Sequence, residues 1–278
     1  MGEAYIGLLP AILAGITILP LYYLVNKFPE ENPIRSTVLA CFGGVTLFFI
    51  TLIFPLQFQK EWLTISWALE GVALLWLFRR INHEGLRLWG SGLLIVSFAR
   101  LALNPTVFFY YSRSGTPIFN WYLYSFGLVA GCLFVAGWLV DRPPDSLARR
   151  YGKSWFPGLG AVLLFLLLNI EIADYFSEGI RIIFNFSASL TQDMTYSLTW
   201  ALFALIVLVV GLIIESRAAR LGSLGLFLLT IFKVFLHDLW QLGQLYRVAS
   251  LIGLAVVLIF VSFLYQKYLS GELAKNET

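Results

Sequence analysis

Residues 221–238 read LGSLGLFLLTIFKVFLHD, an apolar run that carries Lys233 and, one helical turn later, His237 with Asp238 beside it. Together with residues 196–215, this run predicts a hairpin of two apolar helices. A charged side chain within an apolar helix is costly in a bilayer and usually marks a pathway or a binding site. The hairpin is therefore typical of a membrane protein, and it is the first place to look for function.

The composition of the whole chain supports the same fold class. Its 278 residues are 59% hydrophobic and 13% charged, whereas soluble domains have about 45–50% apolar and about 25% charged residues. Repeated apolar runs of about 20 residues match the length of a membrane-spanning helix. We expect one all-α integral membrane domain, a polytopic bundle of nine spans, with a cytoplasmic tail at 269–278. The predicted spans are residues 4–26, 36–54, 62–79, 85–104, 119–140, 155–175, 196–215, 219–237 and 246–267.

The basic residues predict how the bundle is oriented. If the N-terminus is outside, thirteen of the 19 Lys and Arg residues fall in inner loops and the tail, and four fall in outer loops. The other two, Arg100 and Lys233, lie within spans. Because cytoplasmic loops carry the excess of Lys and Arg, we expect the N-terminus outside and the C-terminus in the cytoplasm. Trp121, Tyr122 and Tyr124, which follow the outer loop 105–118, are interpreted as an aromatic belt.

An internal repeat is predicted at a fixed offset of 133 residues. Aligning Trp67–Arg100 with Trp200–Lys233 gives nine identities in 34 positions without a gap. Arg100 then matches Lys233, and Asn104 matches His237. The unit contains about four helices, so two copies would point the same way across the membrane. This predicts a first half at 1–118 and a second half at 119–268.

Two groups of ionisable residues are expected within the outer half of the bilayer. With a rise of about 1.5 Å per residue, Glu70 and Arg100 lie at similar depths on one hairpin and are predicted to pair. Phe203 takes the place of Glu70 in the second copy. The predicted partners of Lys233 are therefore Glu171 and Asp174, which share a helix face at i,i+3 spacing.

Two interpretations of these charges remain open. Paired intramembrane charges can simply hold helices in register. Alternatively, they line a path or a site for a substrate. Arg247, close to His237 and Asp238 in the sequence, adds a cation at the outer mouth.

Motifs for known chemistry are scarce. The sequence contains no HExxH, GxSxG, P-loop or dinucleotide fingerprint. Two histidines exclude a zinc site built from several histidines, but not a carboxylate-rich cation site; no metal or cofactor is expected. His237 beside Asp238 could act as an acid–base pair, although a structural role is the alternative. No nucleic-acid signature is present, and topology explains the basic loops.

The segment Trp200–Tyr268 resembles the C-terminal part of a family of predicted bacterial membrane proteins known as domain of unknown function 2339. The resemblance rests on Arg220-x-Gly222, on Lys233 followed by Asp238-Leu239, on the segments YRVAS at 246–250 and YQKY at 265–268, and on NIEI at 169–172. It implies a bacterial membrane protein without an assigned activity, and it adds Asn169 to the candidate residues. Members of this family are long, so this chain is either a short member or a C-terminal portion.

Three functions are compatible with these observations. The leading hypothesis is transport or flipping of an amphipathic or anionic substrate, such as a lipid-linked envelope precursor, in the bacterial inner membrane. The candidate substrate-binding residues are Lys233, Glu171, Asp174, Arg100, Glu70, Arg247, Asn169 and Asn104. A membrane-embedded enzyme using His237 and Asp238 on a lipid-linked substrate is the second hypothesis. A structural subunit of an envelope complex is the third, and membrane lipid is the expected partner in each.

Overall fold

The computed structural model describes residues 7–27, 33–57, 61–81, 83–109, 116, 118–141, 155–179, 182, 184, 189–234, 252–253, 255–263 and 265–266. Within these residues the regular structure is helical, which confirms the all-α prediction for this part of the chain. The helices are α1 (Leu8–Lys27), α2 (Pro33–Gln57), α3 (Glu61–Ile81), α4 (Glu84–Leu103), a 3-10 helix (Pro105–Phe109), α5 (Trp121–Asp141), α6 (Phe156–Phe176), α7 (Leu190–Ile213) and α8 (Arg217–Lys233). Residues 255–263 are helical as well, and the predicted tail lies outside the described residues.

Membrane-spanning length and composition are found in four of the described helices. These stretches are Glu84–Leu103, Trp121–Val140, Phe156–Phe176 and Thr191–Ile213. Shorter apolar stretches occur in α1 and α2, at Leu8–Tyr23 and Thr37–Ile53. A helix of about 20 apolar residues can cross the hydrocarbon core, so a helical membrane protein is supported. The count of nine spans and their orientation stay predictions.

The chain divides into two compact units, Met1–Ile183 and Phe184–Thr278. In unit 1, α1 packs on α2, α2 on α3, α3 on both α4 and α5, and α5 on α6. The main core of this unit joins α3 to α6 through side chains such as Leu75, Leu94, Phe126, Leu133 and Leu163. It therefore takes in residues on both sides of position 118. The predicted repeat halves, 1–118 and 119–268, divide the chain at a different position from these units, and they stay a prediction.

Close backbone contact sets the crossing of α3 and α4. A Cβ atom added to Gly71 would lie 2.8 Å from the carbonyl oxygen of Gly90, and one added to Gly90 would lie 2.8 Å from the carbonyl oxygen of Gly71. The absence of both side chains lets the two backbones meet, as small residues commonly do between membrane helices. His83 directly precedes α4, and its Nδ1 accepts a hydrogen bond from the Gly85 N–H at 3.2 Å. His83 is thus a helix N-cap.

Unit 2 contains the hairpin that the sequence predicts from residues 196–238. Helices α7 and α8 pack against each other, and Ala204, Leu208, Phe227 and Val261 form their buried core. The turn between the helices contains Glu215 at a positive φ of 53°. Ser216 then caps α8, and its hydroxyl accepts a hydrogen bond from the Ala219 N–H at 3.3 Å.

Buried positions in the two hairpins coincide at the predicted offset of 133. The positions buried in both are Thr64/Ser197, Gly71/Ala204, Leu75/Leu208, Phe78/Gly211, Gly90/Ser223, Leu94/Phe227 and Ser97/Thr230. Their spacing of three, four and seven residues is that of one helix face, and the N-caps His83 and Ser216 are also 133 residues apart. This shared register supports the repeat, which stays a prediction.

Candidate functional site

A polar cluster joins the start of α5 to the end of α6. Asn120, which is 3% exposed, donates from Nδ2 to Oε2 of Glu171 at 2.9 Å. Its Oδ1 accepts a hydrogen bond from the Leu123 N–H at 3.0 Å, so the same side chain caps the first turn of α5. Ile118 has a positive φ of 68° and accepts a hydrogen bond from the Asn120 N–H at 3.0 Å, which turns the chain into the helix. The turn thereby places an amide against a carboxyl group that α6 carries.

Asp174 and Tyr122 complete this group, which we call the Glu171 cluster (Asn120, Tyr122, Glu171 and Asp174). Asp174 is 3% and Tyr122 is 2% exposed, and Asp174 follows Glu171 at i,i+3 spacing on α6. The aromatic ring of Tyr122 packs on Trp121 with centroids 3.9 Å apart. Tyr122 is therefore buried within unit 1, and its prediction as part of the aromatic belt is wrong. Tyr124, which is 53% exposed, fits the belt.

Glu70 and Arg100 are predicted to form an ion pair. The structure describes a contact with a different residue for each of them. Glu70 is 6% exposed, and its Oε2 accepts a hydrogen bond from Oγ1 of Thr51 on α2 at 2.8 Å. The guanidinium carbon of Arg100 lies 5.6 Å from the ring centroid of Trp67 on α3, a cation–π distance. The partner that the structure describes for the Glu70 carboxyl is thus a hydroxyl from α2.

The two candidate asparagines have local roles. Asn104 ends α4, and its Oδ1 accepts hydrogen bonds from the N–H and the hydroxyl of Thr106, at 3.0 and 2.6 Å. Asn169 donates from Nδ2 to the Phe165 carbonyl of its own helix at 2.6 Å. These contacts shape the start of the 3-10 helix and a turn of α6, respectively.

In unit 2, Lys233 is held against α7. Its Nζ donates to Oγ of Ser197 at 2.7 Å and to the backbone carbonyl of Asp193 at 3.2 Å. Asp193 is 1% and Gln192 is 3% exposed. We call Gln192, Asp193, Ser197 and Lys233 the Lys233 cluster. Because Lys233 and Glu171 belong to different units, each described by itself, their predicted pairing stays a prediction.

The other candidates, His237, Asp238 and Arg247, lie outside the described residues. Among the residues that are described, no group of three or more His, Cys, Asp or Glu side chains is arranged to hold a metal ion. The arrangement that can be described is therefore two clusters of buried polar and ionisable groups within long apolar helices. Such groups can bind a polar part of a substrate or pass a proton.

The family described as Predicted membrane protein (DUF2339) matches residues 86–268. The chain belongs to this family. The match begins in the first turn of α4 and spans about two thirds of the chain. No curated protein and no solved structure matches the chain.

Both clusters lie within the part of the chain that matches DUF2339. The resemblance that the sequence motifs predict is thereby confirmed, and it extends further towards the N-terminus than those motifs. Arg100 lies inside the matched range, whereas Glu70 and Thr51 precede it. The family's description establishes a membrane protein and leaves the activity to be proposed.

Sequence reasoning missed four of the polar residues that the structure places in contact with candidates. Asn120, Thr51 and Ser197 are neutral, so an inspection of charges passes over them. Asp193 is charged but is not among the candidate residues, yet it lies in the first turn of α7 and is buried. The available signal was the i,i+4 spacing of Asp193 and Ser197, which puts both on one face of a helix.

Proposed function

We propose that this protein transports or flips an amphipathic or anionic substrate, of the lipid-linked envelope type, across the bacterial inner membrane. The observation that carries the proposal is Lys233, an ammonium group held by Ser197 and by the Asp193 carbonyl on the neighbouring helix. An ionisable side chain within an apolar hairpin is retained at a cost in stability, and such residues usually mark a substrate or ion path. A cation suits the head group of an anionic lipid.

The Glu171 cluster supports the same proposal from unit 1. An amide at the start of α5 bonds one of two carboxyl groups at the end of α6, and both helices are of bilayer length. Holding helices in register requires only one such contact. A proton relay or a site for a polar head group requires several polar or ionisable side chains at one depth. In this proposal the carboxyl groups relay protons or balance the cations Arg100 and Lys233.

The proposed orientation has the N-terminus outside and the C-terminus in the cytoplasm. It rests on the distribution of Lys and Arg between the loops. In this orientation, the Glu171 cluster and Arg100 lie towards the outer face. An enzymatic role would depend on His237 and Asp238, outside the described residues, so transport is the function proposed.

The test is a flipping assay in liposomes that contain the purified protein and phosphatidylglycerol with a dithionite-sensitive fluorophore on its head group. We expect the protein to expose inner-leaflet label to dithionite, with Lys233→Gln and Glu171→Gln each slowing this about tenfold or more, equivalent to about 1.4 kcal/mol in barrier height. Arg217→Gln is the matched control, because Arg217 is an exposed cation in the first turn of the same helix as Lys233. It should flip lipid at the wild-type rate.

Two results would contradict the proposal. One is a wild-type rate equal to that of protein-free liposomes. The other is wild-type flipping by both neutralised variants. Size-exclusion profiles of each variant separate a lost function from a lost fold.

A further inference from the structure

Exposed tryptophans gather at one end of unit 1. They are Trp76, Trp89, Trp138 and Trp155, and they lie close to the end of α3, the start of α4, the end of α5 and the start of α6. The end of α5 adjoins the start of α6, since a Cβ atom added to Gly137 on α5 would lie 2.5 Å from Pro157 on α6. Exposed indole rings at one level are typical of the interface between lipid and water.

Two arginines are held on the faces of these rings. The Arg79 guanidinium carbon lies 5.4 Å from the ring centroid of Trp138, which joins α3 to α5. The Arg80 guanidinium carbon lies 5.6 Å from the ring centroid of Trp76, one turn earlier on α3. Both distances are within cation–π range. The rings therefore fix the positions of the two guanidinium groups, which are neighbours in the sequence.

The described residues leave the hydrogen-bond donors of these two arginines open to a ligand. Both side chains are exposed, and no carboxylate among the described residues lies within ion-pair distance of either. Glu84, an acid at the same end, lies 3.5 Å from Nη2 of Arg87 and is engaged there. A guanidinium presents a planar fork of N–H donors that matches a phosphate, and stacking on a ring leaves the edge of that fork open.

We propose that this Arg–Trp surface (Trp76, Arg79, Arg80 and Trp138) binds the phosphate head group of an anionic phospholipid. The rings lie against the upper acyl chains and the glycerol, and the guanidinium groups donate to the phosphate. Positive charge at the level of interfacial aromatic rings is complementary to an anionic lipid, and not to a zwitterionic one whose choline would approach the arginines.

Native mass spectrometry of the full chain from mixed micelles tests this surface, using phosphatidylglycerol and phosphatidylcholine as the two probes. We expect Arg79→Gln and Arg80→Gln each to weaken phosphatidylglycerol binding about fivefold, the usual contribution of one Arg near an anionic surface. Phosphatidylcholine binding should be unchanged. Arg217→Gln is the control, because it removes an exposed helix-end cation that has no ring contact among the described residues.

A second pair of variants tests the role of the rings. Trp138→Leu keeps the Arg79 charge but removes its support, so phosphatidylglycerol binding should weaken while the net charge stays constant. Tyr124→Leu removes another exposed aromatic ring of α5, from its other end, and should leave binding unchanged.

The proposal is overturned if Arg79→Gln and Arg80→Gln weaken phosphatidylglycerol binding no more than Arg217→Gln does. It is also overturned if both lipids are lost equally. The variants at this surface are expected to flip labelled lipid normally, so failure of the lipid site and failure of the transport proposal give different results.

Discussion

The hydrogen bond from Thr51 to Glu70 illustrates, at the scale of single residues, how a carboxyl group is accommodated in an apolar core. Glu70 is 6% exposed and Thr51 is 9% exposed, and 2.8 Å separates their oxygens. A buried carboxyl without a hydrogen-bond partner would be strongly unfavourable. The hydroxyl from α2 therefore stabilises a group that α3 carries, and it connects the two helices.

Thr51→Val should lower the free energy of unfolding by about 1–3 kcal/mol, because it leaves the Glu70 oxygen without its donor at constant side-chain shape. Thermal unfolding in detergent measures this. Thr195→Val is the matched control, since the Thr195 hydroxyl bonds the Thr191 carbonyl of its own helix at 2.7 Å and contacts no other element through that bond. Equal melting temperatures for the two variants would mean that the Thr51 hydroxyl contributes nothing to the stability of Glu70.

Lys233, a cation, is likewise stabilised by hydrogen bonds to a neighbouring helix. Its ammonium donates hydrogen bonds to a side-chain hydroxyl and to a backbone carbonyl of α7. Arg100, its counterpart at the offset of 133, lies instead over the ring of Trp67. The two cations thus occupy matching positions in the sequence and have different described neighbours.

At the scale of elements, the α3–α4 and α7–α8 hairpins share a buried face. Gly71 and Gly90 in the first correspond to Ala204 and Ser223 in the second. All four are small residues, and a small residue at a helix crossing permits close approach of the backbones. In the first hairpin, the backbones at the two glycines touch without an intervening side chain.

Gly71→Ala should destabilise the protein by about 1–3 kcal/mol, since the new methyl group would lie 2.8 Å from the Gly90 carbonyl oxygen and from Cγ of Leu94. In Gly92→Ala on α4, the new methyl group would have no neighbouring atom within 4 Å. It should stabilise α4 by up to about 1 kcal/mol through helix propensity. Opposite shifts in melting temperature are therefore expected, and a shift of the same sign for both would count against the close crossing.

At the scale of the whole molecule, the boundary between compact units follows Ile183. Helices α5 and α6 belong to unit 1 because their buried residues share one core with α3 and α4. A fragment ending at 118 would lose that core's other side and expose an apolar face. A fragment ending at 183 keeps α1 to α6, the α-helices that the structure describes in this unit.

Residues 1–183 expressed alone should therefore form a monodisperse helical protein in detergent, whereas residues 1–118 should aggregate or be degraded. Size-exclusion chromatography and circular dichroism distinguish the two. A well-behaved 1–118 fragment with a cooperative melt would favour the predicted repeat half as the independent unit.

The sequence alone determined the fold class, since 59% hydrophobic composition and repeated apolar runs leave too little polar surface for any but a helical membrane protein. It also determined family membership and the α7–α8 hairpin, because these depend on local patterns. The partners of the ionisable residues were decided only by tertiary structure. Asn120 meets Glu171 across 51 positions of the sequence and Thr51 meets Glu70 across 19, and both donors are neutral residues without a local signal. Which neighbour satisfies a buried charge depends on how helices pack, and helix packing is a property of the folded chain.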